Sequence, residues 1–256
     1  MKSERPFLLV NINNTNTSFA LANSRRILRL VKVPTASVRE VPFARADIVG
    51  IVLSSVVPTV AKRVRRLLPM PPLVVSADID LGVGVRYPNK KQIGADRLAN
   101  AVGVTELYGA PAIVVDFGTA VTFDIVNARS EYVGGVIAPG LASVTDYLYQ
   151  RTALLPRITL AEPKSVVGKS TVDAMRVGAV VGYRGLVKEI LHALKRERGM
   201  RRAVVVATGG YGDLMAKKIP EIEHVNPLLT LEGLRFIYLR NRPARNRAPG
   251  HHHEPN

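Results

Sequence analysis

The residues able to do chemistry fall in a few short stretches. In Val114-Val115-Asp116-Phe117-Gly118-Thr119-Ala120 an apolar strand runs into an acid, a glycine and a hydroxyl, then returns as the alternating strand Val121-Thr122-Phe123-Asp124. This is the layout of a phosphate-gripping hairpin. The glycine admits backbone N–H groups close to a phosphate, Thr119 can donate to it, and Asp116 can hold a cation beside it. Near the N-terminus, Leu9-Val10-Asn11-Ile12-Asn13-Asn14-Thr15-Asn16-Thr17-Ser18-Phe19 repeats the order strand, turn, hydroxyl, strand. There Asn11 stands where Asp116 stands and Asn13 where Gly118 stands. Such an echo predicts a duplicated domain with one turn altered.

Two further stretches carry candidate groups. Gly94-Ala95-Asp96-Arg97 is followed by Leu98, Ala101, Val102 and Leu107 at helical spacing up to Gly109, so Asp96 falls in the first turn of a helix. It reads either as a carboxylate favoured by the helix dipole or as a general base beside an arginine that fixes an anionic substrate. Thr208-Gly209-Gly210-Tyr211-Gly212 follows a buried strand, the place where a nucleotide often meets an α/β sheet or where a tight turn simply uses glycine.

The elements that position these groups alternate. Strands are predicted over 7–22 and 27–33 around a polar tip at Asn23-Ser24-Arg25, and over 49–54. A helix runs from Pro58 to Leu68 and a strand spans 73–75. A Gly-, Pro-, Asn- and Lys-rich loop over 82–91 leads to the Asp96 helix. Strands over 112–116, 121–126 and 131–136 precede a helix from Leu141 that ends near Pro156. A long helix opens at Ser170 and stops at Gly199, and a strand spans 203–207. The long helix carries Gly178, Gly182 and Gly185, each costing up to about 1 kcal/mol of helix propensity. Close approach of another helix, within the chain or from a second copy, is the expected compensation. The alternation argues for an α/β protein with mixed sheets.

With 256 residues, 47% of them hydrophobic, the chain can bury real cores. No apolar run approaches the roughly eighteen residues of a membrane span, and Phe7-Leu8-Leu9-Val10 reads as a buried strand, not a signal peptide. The absence of cysteine excludes disulfides, thiolate catalysis and cysteine-bound zinc, and points to the cytoplasm. The net charge of +16 would suit a nucleic-acid binder, but its clusters (Arg63, Arg65, Arg66 and Lys195, Arg196, Arg198, Arg201, Arg202) are scattered and aromatics make up only 5%. A solvated basic surface that draws in anionic substrates is the reading preferred, with no specific nucleic acid and no membrane as partners. Residues 241–256 read as a disordered basic tail.

Taken in order, the Asn-Thr turn, Gly-Ala-Asp-Arg, Asp-Phe-Gly-Thr-Ala, Gly-Gly-Val-Ile-Ala-Pro-Gly, Ser-Thr and Thr-Gly-Gly resemble the type III pantothenate kinases. The resemblance covers roughly residues 7–238. It implies a duplicated actin-like ATPase (ribonuclease H-like) fold with mixed sheets flanked by helices and a cleft between them. The corresponding units are 1–109 and 110–240, the latter with a dimerisation helix. It also implies ATP-dependent phosphorylation of pantothenate to 4'-phosphopantothenate, the first step of coenzyme A synthesis, with Asp96 as general base. Tyr87, Gly94, Ala95, Asp96 and Arg97 then match substrate contacts, and Thr171 matches a contact supplied across a homodimer. Asn11, Ile12, Asn13, Asn14, Thr15, Asn16, Thr17, Ser18 and Thr119 match the ATP site, and Asp116 matches a site for a monovalent cation, K⁺ or NH₄⁺. The family's first turn reads Asp-x-Gly-Asn-Thr; Asn11 keeps an acceptor oxygen there but removes the charge that would orient Mg²⁺. The alternative this raises is a nucleotide-binding relative with a regulatory role.

Overall fold

The computed structural model describes residues 4–43 and 47–242. The first sheet contains β1 (Phe7–Ile12), β2 (Asn16–Ala22), β3 (Ile27–Pro34), β4 (Ile51–Ser55) and β5 (Leu73–Val74), in the spatial order β3-β2-β1-β4-β5. The second contains β6 (Gly84–Val85), β7 (Ala112–Phe117), β8 (Ala120–Val126), β9 (Glu131–Pro139), β10 (Val204–Thr208) and β11 (His224–Val225), in the order β11-β10-β7-β8-β9-β6. In both sheets three antiparallel strands are extended by two parallel ones. The predicted duplication is therefore present strand for strand, with β6 added at one edge. Asn11 pairs with Ser18 and Ser54, and Asp116 with Thr122 and Thr208, so the two residues hold the same place in the repeat.

Helices fill three layers around the sheets. α1 (Pro58–Leu67) covers the outer face of the first sheet, where Leu8, Val10, Ile12 and Val64 are buried together. α2 (Ala95–Tyr108) and α7 (Leu229–Asn241) lie between the sheets, against Phe7 and Leu9 from one and Val114 and Val126 from the other. α3 (Leu141–Arg151) and α5 (Tyr183–Arg196) close the outer face of the second sheet over Ile113, Val115 and Phe123. Alternation along β1 and β7 thus serves two cores at once, as a strand buried on both faces requires.

Several boundaries differ from expectation. The helix expected to reach Pro156 ends at Arg151, because Thr152 is extended and its hydroxyl caps the Leu148 carbonyl at 2.9 Å. The strand over 131–136 continues to Pro139, and part of the expected loop pairs as β6 with β9. The long helix is α4 (Thr171–Val177) and α5, joined by a wider π-type stretch at Gly178–Gly182. β11, α6 (Gly212–Ala216) and above all α7 complete the chain. α7 escapes periodicity because it is buried between two sheets and has no polar stripe to mark a helical face. Its Tyr238 stacks on Phe7 at 4.1 Å and donates to the Val49 carbonyl, and Arg235 donates to the Ser24 carbonyl, so the last helix returns to the first sheet. The tail expected to be disordered lies almost entirely outside the described residues. Among the described residues no helix is long and apolar enough to cross a membrane.

Candidate functional site

Strand parity aims the two turns at each other. Asn11 shares the face of Phe7 and Leu9, and Asp116 that of Ala112 and Val114, so both project into the middle layer at the C-terminal ends of their strands. Beyond them the hairpin tips meet: Thr15 Oγ1 and Thr119 Oγ1 are 2.7 Å apart. The first tip is braced from behind. Thr35 N donates to the Thr15 carbonyl, and Thr35 Oγ1 donates to the Asn13 carbonyl at 2.7 Å and accepts from Thr17 Oγ1 at 3.0 Å. The second tip rests on Gly140 at the start of α3, where a β-carbon would collide with the Gly118 and Thr119 carbonyls. The positive end of α3 therefore faces the hairpin.

Behind the tips lies a cluster of acids. Asp124, fully buried, accepts from Arg97 Nε at 2.6 Å and from Asn100 Nδ2 at 3.2 Å. The same Asn100 nitrogen donates to Asp116 at 3.4 Å, and the Asn100 oxygen accepts from Thr230 Oγ1 at 2.7 Å. Asp96 accepts from the Arg97 backbone N–H at 2.9 Å. Burial lifts all three carboxyls. Asp116 rises to about 7, with the charges of Asp124 and Asp96 adding to desolvation, and Asp124 to about 6, with Arg97 opposing it. Asp96 is raised by desolvation against the pull of Arg97. Burial lowers Arg97, but Asp124, joined by Tyr132 and Asp96, more than offsets it, so its affinity for the proton is raised. An excess of buried negative charge with one long hydrogen bond at Asp116 suits a cation there.

Of the residues picked from sequence, the structure brings Asp96, Arg97 and Asp116 into one network and Thr15 and Thr119 into contact across the turns. Tyr87 leans on Tyr132, over which Arg97 also lies. Ile12 is buried in the outer core, so only its backbone faces the turn, and Thr17 spends its hydroxyl on Thr35. Asn14 and Asn16 are exposed, and Ser18 is half-buried on β2. Gly94 and Ala95 open α2; a β-carbon on Gly94 would crowd Asp96 Oδ1 at 2.6 Å. Thr171 is exposed at the start of α4, and among the described residues no hydrogen bond joins it to the acid cluster. Among the described residues nothing approaches the positions where Gly178, Gly182 and Gly185 would carry a β-carbon, so no intramolecular contact there accounts for the stripe.

Three participants were not singled out from sequence: Asn100, Asp124 and Thr230. Asn100 was within reach, standing four residues after Asp96 on the same helical face. Asp124 had a signal too, a lone acid among alternating apolar residues on a central strand. Thr230 had none, since its role depends on where α7 lands.

Orphaned acceptors mark the first turn. Asn11 Oδ1, Asn13 Oδ1 and Ser54 Oγ are buried with no hydrogen-bond partner among the described residues, each costing about 1–3 kcal/mol if left so. Next to this turn a recess of about 410 Å³ is lined by Ser55, Ser76, Asp78, Lys90, Lys91 and Gly94, so two lysines and one carboxylate face it beside the start of α2. A wider, open recess of about 590 Å³ at the end of α5 is lined by Lys195, Arg196, Arg198 and Arg201 and touches none of these residues.

A doubled sheet with two facing hairpins, a helical layer between and a half-buried acid at the head of that layer is the duplicated fold of the actin-like ATPases. The overall arrangement is shared with a Campylobacter jejuni protein described as a Baf-family transcriptional activator (20% identical, TM-score 0.61, covering 91% of this chain and 98% of that one). It is shared also with a Sinorhizobium meliloti protein described as a 2-dehydro-3-deoxygalactonokinase (11% identical, TM-score 0.56, 97% and 100%). A type III pantothenate kinase of Akkermansia muciniphila is 52% identical over 238 residues, 90% of this chain and 97% of its own. The sequence profile of that family matches residues 7–193, and the chain belongs to the type III pantothenate kinases.

Proposed function

We propose that the protein transfers the γ-phosphoryl group of ATP to the primary hydroxyl of pantothenate, giving 4'-phosphopantothenate and ADP for coenzyme A synthesis. The observation that carries this reading is the half-buried Asp96–Arg97–Asp124–Asn100–Asp116 network at the head of α2, facing the paired hairpins. Asp96 takes the hydroxyl proton as the acceptor oxygen bonds to the γ-phosphorus and the bond to the β-phosphate oxygen breaks. Burial raises Asp96 toward the basicity this needs. Arg97, held by Asp124, and the Lys90 and Lys91 rim supply positive charge for the anionic acceptor. The hairpin N–H groups, Thr15 and Thr119 position the phosphates, since phosphoryl transfer asks mainly for placement and charge neutralisation.

Asp116 would hold a monovalent cation, which supplies positive charge near the phosphates. Its sparse hydrogen bonding, and the room left by Gly209, whose β-carbon would crowd its Oδ1, support that role. Mg²⁺ would supply charge neutralisation at the nucleotide's phosphates, with Asn11, whose Oδ1 has no hydrogen-bond partner among the described residues, as the first turn's candidate to support it. Thr171 would serve the site of a second copy in a homodimer, and the chain would work in the cytoplasm. The nucleotide-binding relative is disfavoured because a type III pantothenate kinase is 52% identical to this chain over 90% of its length.

The test is pantothenate-dependent ADP release with Mg²⁺ and K⁺. Asp96→Asn should reduce it by about 10²–10⁴-fold, the range of a lost general base. Release that ignores pantothenate, or is equal in the variant, overturns the assignment.

A further inference from the structure

Asn100 is 1% exposed and has a polar group at every side of its amide. Its Nδ2 donates to Asp124 at 3.2 Å and to Asp116 at 3.4 Å, and its Oδ1 accepts from Thr230 Oγ1 at 2.7 Å. Ionised carboxylates only accept, so the NH₂ group belongs on their side and the carbonyl on the side of the hydroxyl. Asp124 then uses its other oxygen to receive Arg97 Nε at 2.6 Å. The chain of contacts runs Thr230, Asn100, Asp124, Arg97.

The hydroxyl reaches Asn100 for a reason written in two glycines. A β-carbon on Gly103 of α2 would sit 2.7 Å from the Leu229 carbonyl oxygen, and one on Gly233 of α7 would fall on the Ala99 carbonyl. The helices therefore cross backbone to backbone, and the crossing carries Thr230, second residue of α7, to the buried face of α2. Thr230 stands outside residues 7–193, the part of the chain that the family profile matches.

We propose that Thr230 is a positioning residue of the acceptor site, locking the Asn100 amide so that Asp124 keeps Arg97 aimed at the acceptor. This rests on reading Arg97 as an acceptor contact. Without the hydroxyl the amide is held from its NH₂ side alone and is free to tilt out of line with Asp124, so the carboxylate that orients Arg97 has a poorer partner.

Thr230→Val keeps the shape and removes the hydroxyl. Pantothenate binding by calorimetry without nucleotide should weaken about tenfold, the upper end of what one neutral hydrogen bond contributes. The pantothenate KM should rise in step, the ATP KM should stay at the wild-type value, and Thr230→Ser should restore both measurements. Wild-type pantothenate affinity in Thr230→Val overturns the proposal, as does equal loss for ATP and pantothenate or no rescue by serine. Thr230→Ala is the second variant; if neither it nor Thr230→Val folds while Thr230→Ser does, the hydroxyl serves folding and the proposal is overturned. Wild-type protein that fails to bind pantothenate overturns the kinase reading itself. Wild type and Thr230→Val binding equally well overturns only the role of Thr230.

Discussion

Asn11 and Asp116 occupy one position in two copies of a strand, yet one is neutral and the other acidic. The asymmetry predicts a weak hold on Mg²⁺ at the first turn. Asn11→Asp should increase Mg²⁺ affinity by about 10–100-fold, the usual worth of a residue supporting a metal indirectly, measured as the Mg²⁺ concentration for half-maximal ADP release. An unchanged Mg²⁺ requirement would show that the nucleotide alone sets it. The acids also give a signed pH dependence. Asp124 at about 6 and Asp116 at about 7 lie above their ordinary value of 3.8, so the folded state binds these protons more tightly than the unfolded chain. Their contribution to stability is complete below pH 3.8 and is lost as pH rises through about 6 and about 7. The melting temperature of cation-free protein should therefore fall across this window, and Asp116→Asn should flatten the upper part. An unaltered slope in the variant would remove Asp116 as the cause.

At the level of elements, the α2–α7 crossing is the joint on which the site depends. Gly233 touches the Ala99 carbonyl so closely that alanine has no room. Gly233→Ala should cost about 1–3 kcal/mol by overpacking, read from urea unfolding, and should weaken pantothenate binding because Thr230 moves with the helix. Full stability would mean that the helices separate at no cost. The hairpins and α2 were legible in the sequence because each combines a local turn signal with a strong period. α7 was not, since its burial between two sheets erases the polar face that periodicity reads. The same limit hid Thr230, whose partner Asn100 is distant in sequence.

For the whole molecule, the unfilled stripe of Gly178, Gly182 and Gly185 lies on a helix that also exposes Val181 and Leu186. α3 packs against its π-type stretch and exposes Val144 and Tyr147. If this face joins two copies, Gly182→Arg should yield a monomer by light scattering and, by removing the partner's Thr171, a large loss of activity. A variant that remains dimeric would place the interface elsewhere. The sequence by itself determined the duplicated plan, the two hairpin turns and the acid at the head of α2, because these are written as short-range order: alternation, turn residues and a helix start. Only the tertiary structure decided that Asn11 and Asp116 face each other across a helical layer. It also decided that Thr17 braces its turn, and that the last helix returns to complete the anchor of Arg97. Those facts depend on which strand lies beside which and how closely two helices approach, and the chain encodes them only through the packing of residues far apart along it.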